Sequence, residues 1–127
     1  MSLLNIKSIQ RINAVAQTEI TLTLEGNLDN STATSLQREV MTALAAKPVQ
    51  LIFDLAGLKY LTSSGIRIFF VSAKNQKAHG GRVSFVNLQP QIKEVFTIMG
   101  SLPDMSLFKD QVELDAYLLA RQKTYES

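Results

Sequence analysis

Hydrophobic positions along this chain follow two alternating periods. Ile20, Leu22 and Leu24 alternate with Thr21, Thr23 and Glu25, the period of a strand with one buried face. A less regular strand is expected around Ile6 to Val15. Gly26-Asn27-Leu28-Asp29 reads as a strand break, and Asp29, Asn30 and Ser31 are suitable N-caps for a helix after it. Ala33, Leu36, Val40 and Leu44 then recur at helical spacing, which predicts a helix near 31–46 ended by Pro48. Val49 to Leu55 is an almost continuous apolar run, as in a strand covered on both faces.

After a short loop, Ile66, Phe69, Phe70 and Ala73 fit one helical stripe, so a helix is expected over 64–78, stopped by His79-Gly80-Gly81. A short strand around Val83 and Phe85 comes next. A helical face of Ile92, Val95, Phe96 and Met99 then ends at Gly100. Leu114, Tyr117 and Leu118 mark a last helix near 111–123. The order strand, strand, helix, strand, helix, strand, helix, helix indicates a single α/β domain with helices packed on a sheet. Ile66, Phe69 and Phe70 are expected in its core. Ile68 and Val71 make the same helix apolar around much of its circumference, which means either deep burial or a binding patch.

Composition narrows the chemistry. At 127 residues the chain suits one domain, and 46% hydrophobic with 19% charged residues is ordinary globular usage. The chain has no cysteine, which removes disulfides, thiolate metal sites and Cys nucleophiles. A single histidine, His79, excludes a multi-histidine metal cage, and no metal or cofactor is expected. No signal peptide and no apolar run of membrane-spanning length is visible, so a soluble cytoplasmic protein is expected. The net charge of +2 is too small to suggest nucleic-acid binding. It is unevenly placed, however. From Leu55 to Lys93 there are six basic residues (Lys59, Arg67, Lys74, Lys77, Arg82, Lys93) and no acid, leaving seven basic and eleven acidic residues elsewhere.

Catalytic motifs are missing. There is no phosphate-binding glycine loop, no dinucleotide fingerprint and no nucleophile elbow. His79 sits in a glycine-rich turn, where a polar residue is ordinary. Asp54, near a strand end, is also explained as a turn residue. The informative segment is Leu58-Lys59-Tyr60-Leu61-Thr62-Ser63-Ser64-Gly65-Ile66, which places three consecutive hydroxyls at a helix start. One of them suffices to cap the helix. The others, with Gly65, are consistent with a serine that carries a phosphate or meets an anion at the positive helix end.

Here the sequence resembles the STAS-domain proteins of the anti-sigma factor antagonist type. Asp54-Leu55-Ala56-Gly57 before Tyr60-Leu61-Thr62-Ser63-Ser64-Gly65 is similar to that family's strand–loop–helix signature. Upstream, Gly26-Asn27-Leu28-Asp29 resembles its G-x-L-D. Gly80-Gly81-Arg82-Val83 and Met99-Gly100 resemble its later turn and helix end. The likeness runs from about residue 5 to 120, with the motifs in the family's order.

The resemblance implies a mixed, mostly parallel sheet and a non-enzymatic switch. In the family, the unphosphorylated antagonist binds an anti-sigma factor that is also a serine kinase of the histidine-kinase-like ATPase fold. Phosphorylation of the first serine ends the complex, and a metal-dependent serine phosphatase restores it. No nucleic acid or membrane partner is implied. Carried over, the acceptor is Ser63. Asp29 lies at the kinase-docking surface, and Ser64 and Gly65 complete the motif. The family often has Asp before the first serine. Thr62 stands here instead, which makes it the second candidate acceptor. Arg67 belongs to the basic stretch that would steer an acidic partner, unless that stretch is merely a solvated helix face. Phosphorylation is expected to block an interface while leaving the fold intact. Two other functions fit less well. One is a STAS adaptor in a transport or signalling assembly without a phosphorylation cycle. The other is a small nucleotide-binding or catalytic module using Asp54, Asp29 and the hydroxyls.

Overall fold

A computed structural model describes residues 3–101 and 110–125. Its strands are β1 (Leu4–Ile12), β2 (Thr18–Leu28), β3 (Gln50–Leu61) and β4 (Arg82–Val86). Its helices are α1 (Ala33–Ala45), α2 (Ser63–Ala78), α3 (Pro90–Ser101) and α4 (Gln111–Lys123). The strands lie in the order β1-β2-β3-β4. β1 and β2 form an antiparallel hairpin, and β2–β3 and β3–β4 are parallel. This is the expected mixed, mostly parallel sheet, with the elements in the expected order.

The alternation of β2 and β3 builds the core. Ile20, Leu22 and Leu24 lie beside Leu51, Phe53 and Leu55 and are buried. Leu36 and Val40 of α1, Ile66 and Phe69 of α2, Ile92 and Val95 of α3, and Leu114 and Leu118 of α4 close over them. Phe53, Phe69, Phe85 and Phe96 form an aromatic knot with centroids from 4.9 to 5.8 Å apart. Such ring contacts add to area burial.

Several expectations are corrected. β1 starts and ends earlier than Ile6–Val15. Asn13 closes the hairpin, its Oδ1 accepting the N–H groups of Val15 and Gln17. Gly26 does not break β2. The strand continues to Leu28 and absorbs the glycine as a register shift. Gly26 has φ +115°, and a Cβ there would lie 2.2 Å from the Leu3 carbonyl oxygen. β3 likewise runs on to Leu61 without a loop. Nor is β3 covered on both faces. Gln50, Ile52 and Asp54 are only half-buried, opposite Leu51, Phe53 and Leu55. The two polar positions, Gln50 and Asp54, mark an open face that a count of apolar residues conceals. The N-cap of α1 is Thr32, not Asp29, Asn30 or Ser31, and its side chain makes no cap bond.

The α2 stop agrees with its sequence. His79 is the C-cap and Gly80 has φ +77°. Gly81 and Gly80 donate their N–H groups to the carbonyls of Gln76 and Lys77, a Schellman ending. The buried Gln76 amide then donates to the Pro48 and Arg82 carbonyls, fixing this end of α2 to the starts of β3 and β4. The helix face is also resolved. Ile66 and Phe69 are fully buried, but Phe70 is 40% exposed and Val71 58%, so Phe70 is not a core residue.

Candidate functional site

Parallel pairing brings two distant loops together. Leu28 and Leu61 are register partners at the carboxyl ends of β2 and β3, and the Thr62 N–H extends the ladder to the Leu28 carbonyl at 3.0 Å. The turn into α1 and the start of α2 are therefore neighbours, at the sheet edge where α/β domains place their sites. Asp29, Thr62, Ser63, Ser64 and Gly65 converge there.

Asp29 is held firmly. Its Oδ1 accepts from the Ser31 N–H at 2.9 Å and the Ser31 hydroxyl at 2.6 Å, and its own N–H donates to Thr32 Oγ1 at 3.0 Å. Across the gap, the Ser64 hydroxyl donates to Asn30 Oδ1 at 2.6 Å. Gly65 permits this closeness. A Cβ there would lie 2.5 Å from Leu28 Cγ and 2.7 Å from Leu61 Cδ1. Glycine is needed here for contact between α2 and the strand ends.

The hydroxyls do not cap α2. Thr62 is the N-cap in extended conformation, yet its side chain makes no cap bond. Thr62 and Ser63 are 5% and 2% exposed, and the hydroxyl oxygen of each is buried without a hydrogen-bond partner. The Ser63 N–H instead donates to Asp115 Oδ1 of α4 at 3.0 Å. A carboxylate at the positive helix end makes a charge-assisted bond that a neutral hydroxyl does not match. The Tyr60 phenol registers the local charge: burial raises its pKa above the usual value, and Asp115 and then Asp29 push the same way.

Arg67 is exposed one turn along α2. With Ser63, Phe70, Val71, Lys74 and Met99 it lines a shallow apolar cleft of about 280 Å³. A second cleft of about 420 Å³ lies between α1 and α2 over Met41 and Val71, again beside Ser64 and Arg67. All six cations of the basic stretch are exposed. Arg121 and Glu94 form an ion pair outside that stretch.

Asp54 does not join this site. It faces the open side of the sheet, where its Oδ1 accepts from the Ala56 N–H and Asn87 Nδ2, both at 3.1 Å. His79 is exposed at the opposite end of α2, about 24 Å away at the helical rise. Three further contributors, Asn30, Asp115 and Gln122, lie outside the residues that the sequence singles out for this site. The Gln122 amide bonds both the N–H and the carbonyl of Leu61, at 2.9 and 2.7 Å, and is buried. Its signal is a glutamine continuing the Leu114–Leu118 stripe at i+4. Asp115 has no local signal. No helix of the described residues is long and apolar enough to cross a membrane.

Comparison with known proteins identifies the domain and relatives of the same fold. Residues 7–114 match the STAS domain. A candidate anti-sigma factor antagonist of Bordetella bronchiseptica, BtrV, is 29% identical over 79 residues, covering 62% of this chain and 68% of its own. The crystal structure of an anti-sigma factor antagonist from Mycobacterium paratuberculosis superposes with TM-score 0.63 at 18% identity, covering 80% and 89% of the two chains. The Bacillus cell fate determinant SpoIIAA in its phosphorylated form superposes with TM-score 0.56 at 22% identity, covering 72% and 84%.

Proposed function

The chain belongs to the STAS domain family, and from that premise we propose that it is an anti-sigma factor antagonist working by partner switching in the cytoplasm. The unphosphorylated form binds an anti-sigma factor that is also a serine kinase of the histidine-kinase-like ATPase fold. Ser63 is the acceptor. Its Oγ forms a bond to the γ-phosphorus of ATP held by the kinase, ADP leaves with the electron pair, and the hydroxyl proton passes to a base of the kinase. The phosphate ends the complex, and a metal-dependent serine phosphatase removes it. The chain supplies an acceptor and a surface, and no catalytic group of its own.

One observation carries this reading. Ser63 places a partnerless hydroxyl at the start of α2, on the same sheet end as Asp29, Thr62, Ser64 and Gly65. The exposed Arg67, Phe70 and Val71 beside it supply a surface of mixed charge and apolar character, the kind that partner interfaces use. The relatives' names supply the kind of partner, and SpoIIAA is a protein of this fold that exists phosphorylated. The test is intact-mass analysis after incubation with ATP and the cognate kinase. One phosphate should appear, be absent in Ser63→Ala, and persist in Thr62→Val. A phosphate that survives Ser63→Ala would refute the assignment.

A second reading, a STAS adaptor with no phosphorylation cycle, is favoured by the 2% exposure of Ser63. It predicts no adduct under any kinase and equal partner capture by Ser63→Ala and Ser63→Asp.

A further inference from the structure

Resting on the reading of Ser63 as the acceptor, we propose that Arg67 receives the Ser63 phosphate within the same helix. The modification then withdraws a cation from the partner surface as well as adding an anion to it.

A phosphate on the first residue of a helix ordinarily meets free N–H groups and the positive end of the dipole. At α2 that end is already in use. The Ser63 N–H donates to Asp115 Oδ1 at 3.0 Å, and the Ile66 N–H donates to the Thr62 carbonyl at 3.0 Å. The Asp115 carboxylate offsets the dipole, and Asp29 adds a second negative charge nearby, as the Tyr60 phenol registers. A group bringing about −1.5 to −2 charges is repelled from that side.

On its other side Ser63 borders a cleft. Ser63, Arg67, Phe70, Val71, Lys74 and Met99 line its volume of about 280 Å³. That lining contains two cations and no acid. The Ser63 hydroxyl is buried without a partner, so no bond is broken when it turns a phosphate into the cleft.

Arg67 is the cation within reach. It stands at i+4 from Ser63 on α2, a spacing that holds two Cβ atoms about 5–6 Å apart on one helix face. An anion N-terminal to a cation is the favourable order for such a pair. Arg67 is exposed, and its fork of N–H groups matches two phosphate oxygens, as a lysine ammonium does not. Lys74 lies seven residues beyond Arg67, about 10 Å further along the helix. An acidic partner that engages Arg67 and Lys74 over Phe70 and Val71 therefore loses a charge-assisted contact on phosphorylation and faces the remaining phosphate charge. The sheet and helices keep their arrangement.

Phosphoserine installed at position 63 during synthesis of the full chain tests the pairing. Phosphorus NMR follows its second ionisation, which lies near about pH 6 in a free phosphoserine. Arg67 favours the dianion, so Arg67→Gln should raise this pKa by about half a unit, Arg67→Lys by less, and the more distant Lys74→Gln by less than about 0.2 unit. The effect of Arg67→Gln should vanish in urea. Equal effects of Arg67→Gln and Lys74→Gln, or no effect of either, overturns the pairing. A phosphorylated chain without a cooperative melt also overturns it, because the pair needs α2 intact. Withdrawal of the cation has its own readout. Phenylglyoxal should modify Arg67 about threefold more slowly in the phosphorylated chain, with Arg82 on β4 unchanged. An unchanged Arg67 rate overturns the withdrawal. Neither measurement uses a kinase or an anti-sigma factor. The reading of Ser63 as the natural acceptor is decided by intact mass after kinase treatment, so the two fail separately.

Discussion

The backbone N–H of Ser63 donates to the Asp115 carboxylate at 3.0 Å, across 52 positions of sequence. Helix α2 thus receives its N-terminal acceptor from α4, while the hydroxyls at its own start make no such bond. Asp115→Ala should cost about 1–2 kcal/mol, the range for losing a helix cap, and Asp115→Asn less, because its amide oxygen still accepts. Urea denaturation midpoints of the two variants would check the order.

Ser63→Ala separates function from stability. Its hydroxyl is buried without a partner, so its removal should be neutral or stabilise the chain by up to about 1 kcal/mol. The same substitution should abolish phosphorylation and preserve partner capture. Ser63→Asp should weaken capture about a hundredfold, equivalent to roughly 2.7 kcal/mol. Thermal melts alongside pull-downs of both variants give the two readouts.

Gly65→Ala should destabilise by about 1–3 kcal/mol, because a methyl group at 2.5 Å from Leu28 Cγ forces the core apart. The shift would be felt at the joint between α2 and the strand ends. A wild-type denaturation midpoint for this variant would show that the helix start can move without penalty.

Phe69 and Phe70 are adjacent and should behave oppositely. Phe69 is fully buried in the aromatic knot, so Phe69→Ala should cost about 3–5 kcal/mol. Phe70 is 40% exposed, so Phe70→Ala should cost much less stability and show its main effect in partner affinity. Chemical denaturation and a binding isotherm on the same preparations distinguish the two roles.

Reversing charge on the exposed face of α2 tests steering. Arg67→Glu with Lys74→Glu should slow association with the anti-sigma partner by about tenfold or more at low salt, with the difference shrinking as salt screens it. Stopped-flow association rates at two ionic strengths would measure it. Equal rates would return these side chains to an ordinary solvated face.

Much of this protein is legible along the chain. The period of two in Ile20–Leu24 and the helical stripes of Leu36–Val40, Ile66–Phe69, Ile92–Val95 and Leu114–Leu118 place each element in order, because local backbone geometry and one-sided burial leave a periodic trace. The bounds of α4 agree at both ends with those expected from the helical stripe, and Asp110 is its N-cap. The hydroxyls also lie where expected, since the joint between a parallel strand and its helix is a local feature. Differences arise where local signals compete. Gly26 resembles a break but is a bulge within a paired strand, and Ile52 makes a half-open strand look fully covered.

By itself, then, the residue pattern determined the element order and the position of Ser63 at a helix start, and the family resemblance implied the mixed sheet. Tertiary structure alone decided how that serine is held. Asp115 and Gln122 reach it only because α4 docks on α3 and the end of β3, and no periodicity within α4 encodes which strand end it meets. Burial of Ser63, exposure of Phe70 and the choice of a distant carboxylate as partner are properties of packing between elements. There the free energy depends on complementary surfaces brought together from distant parts of the chain.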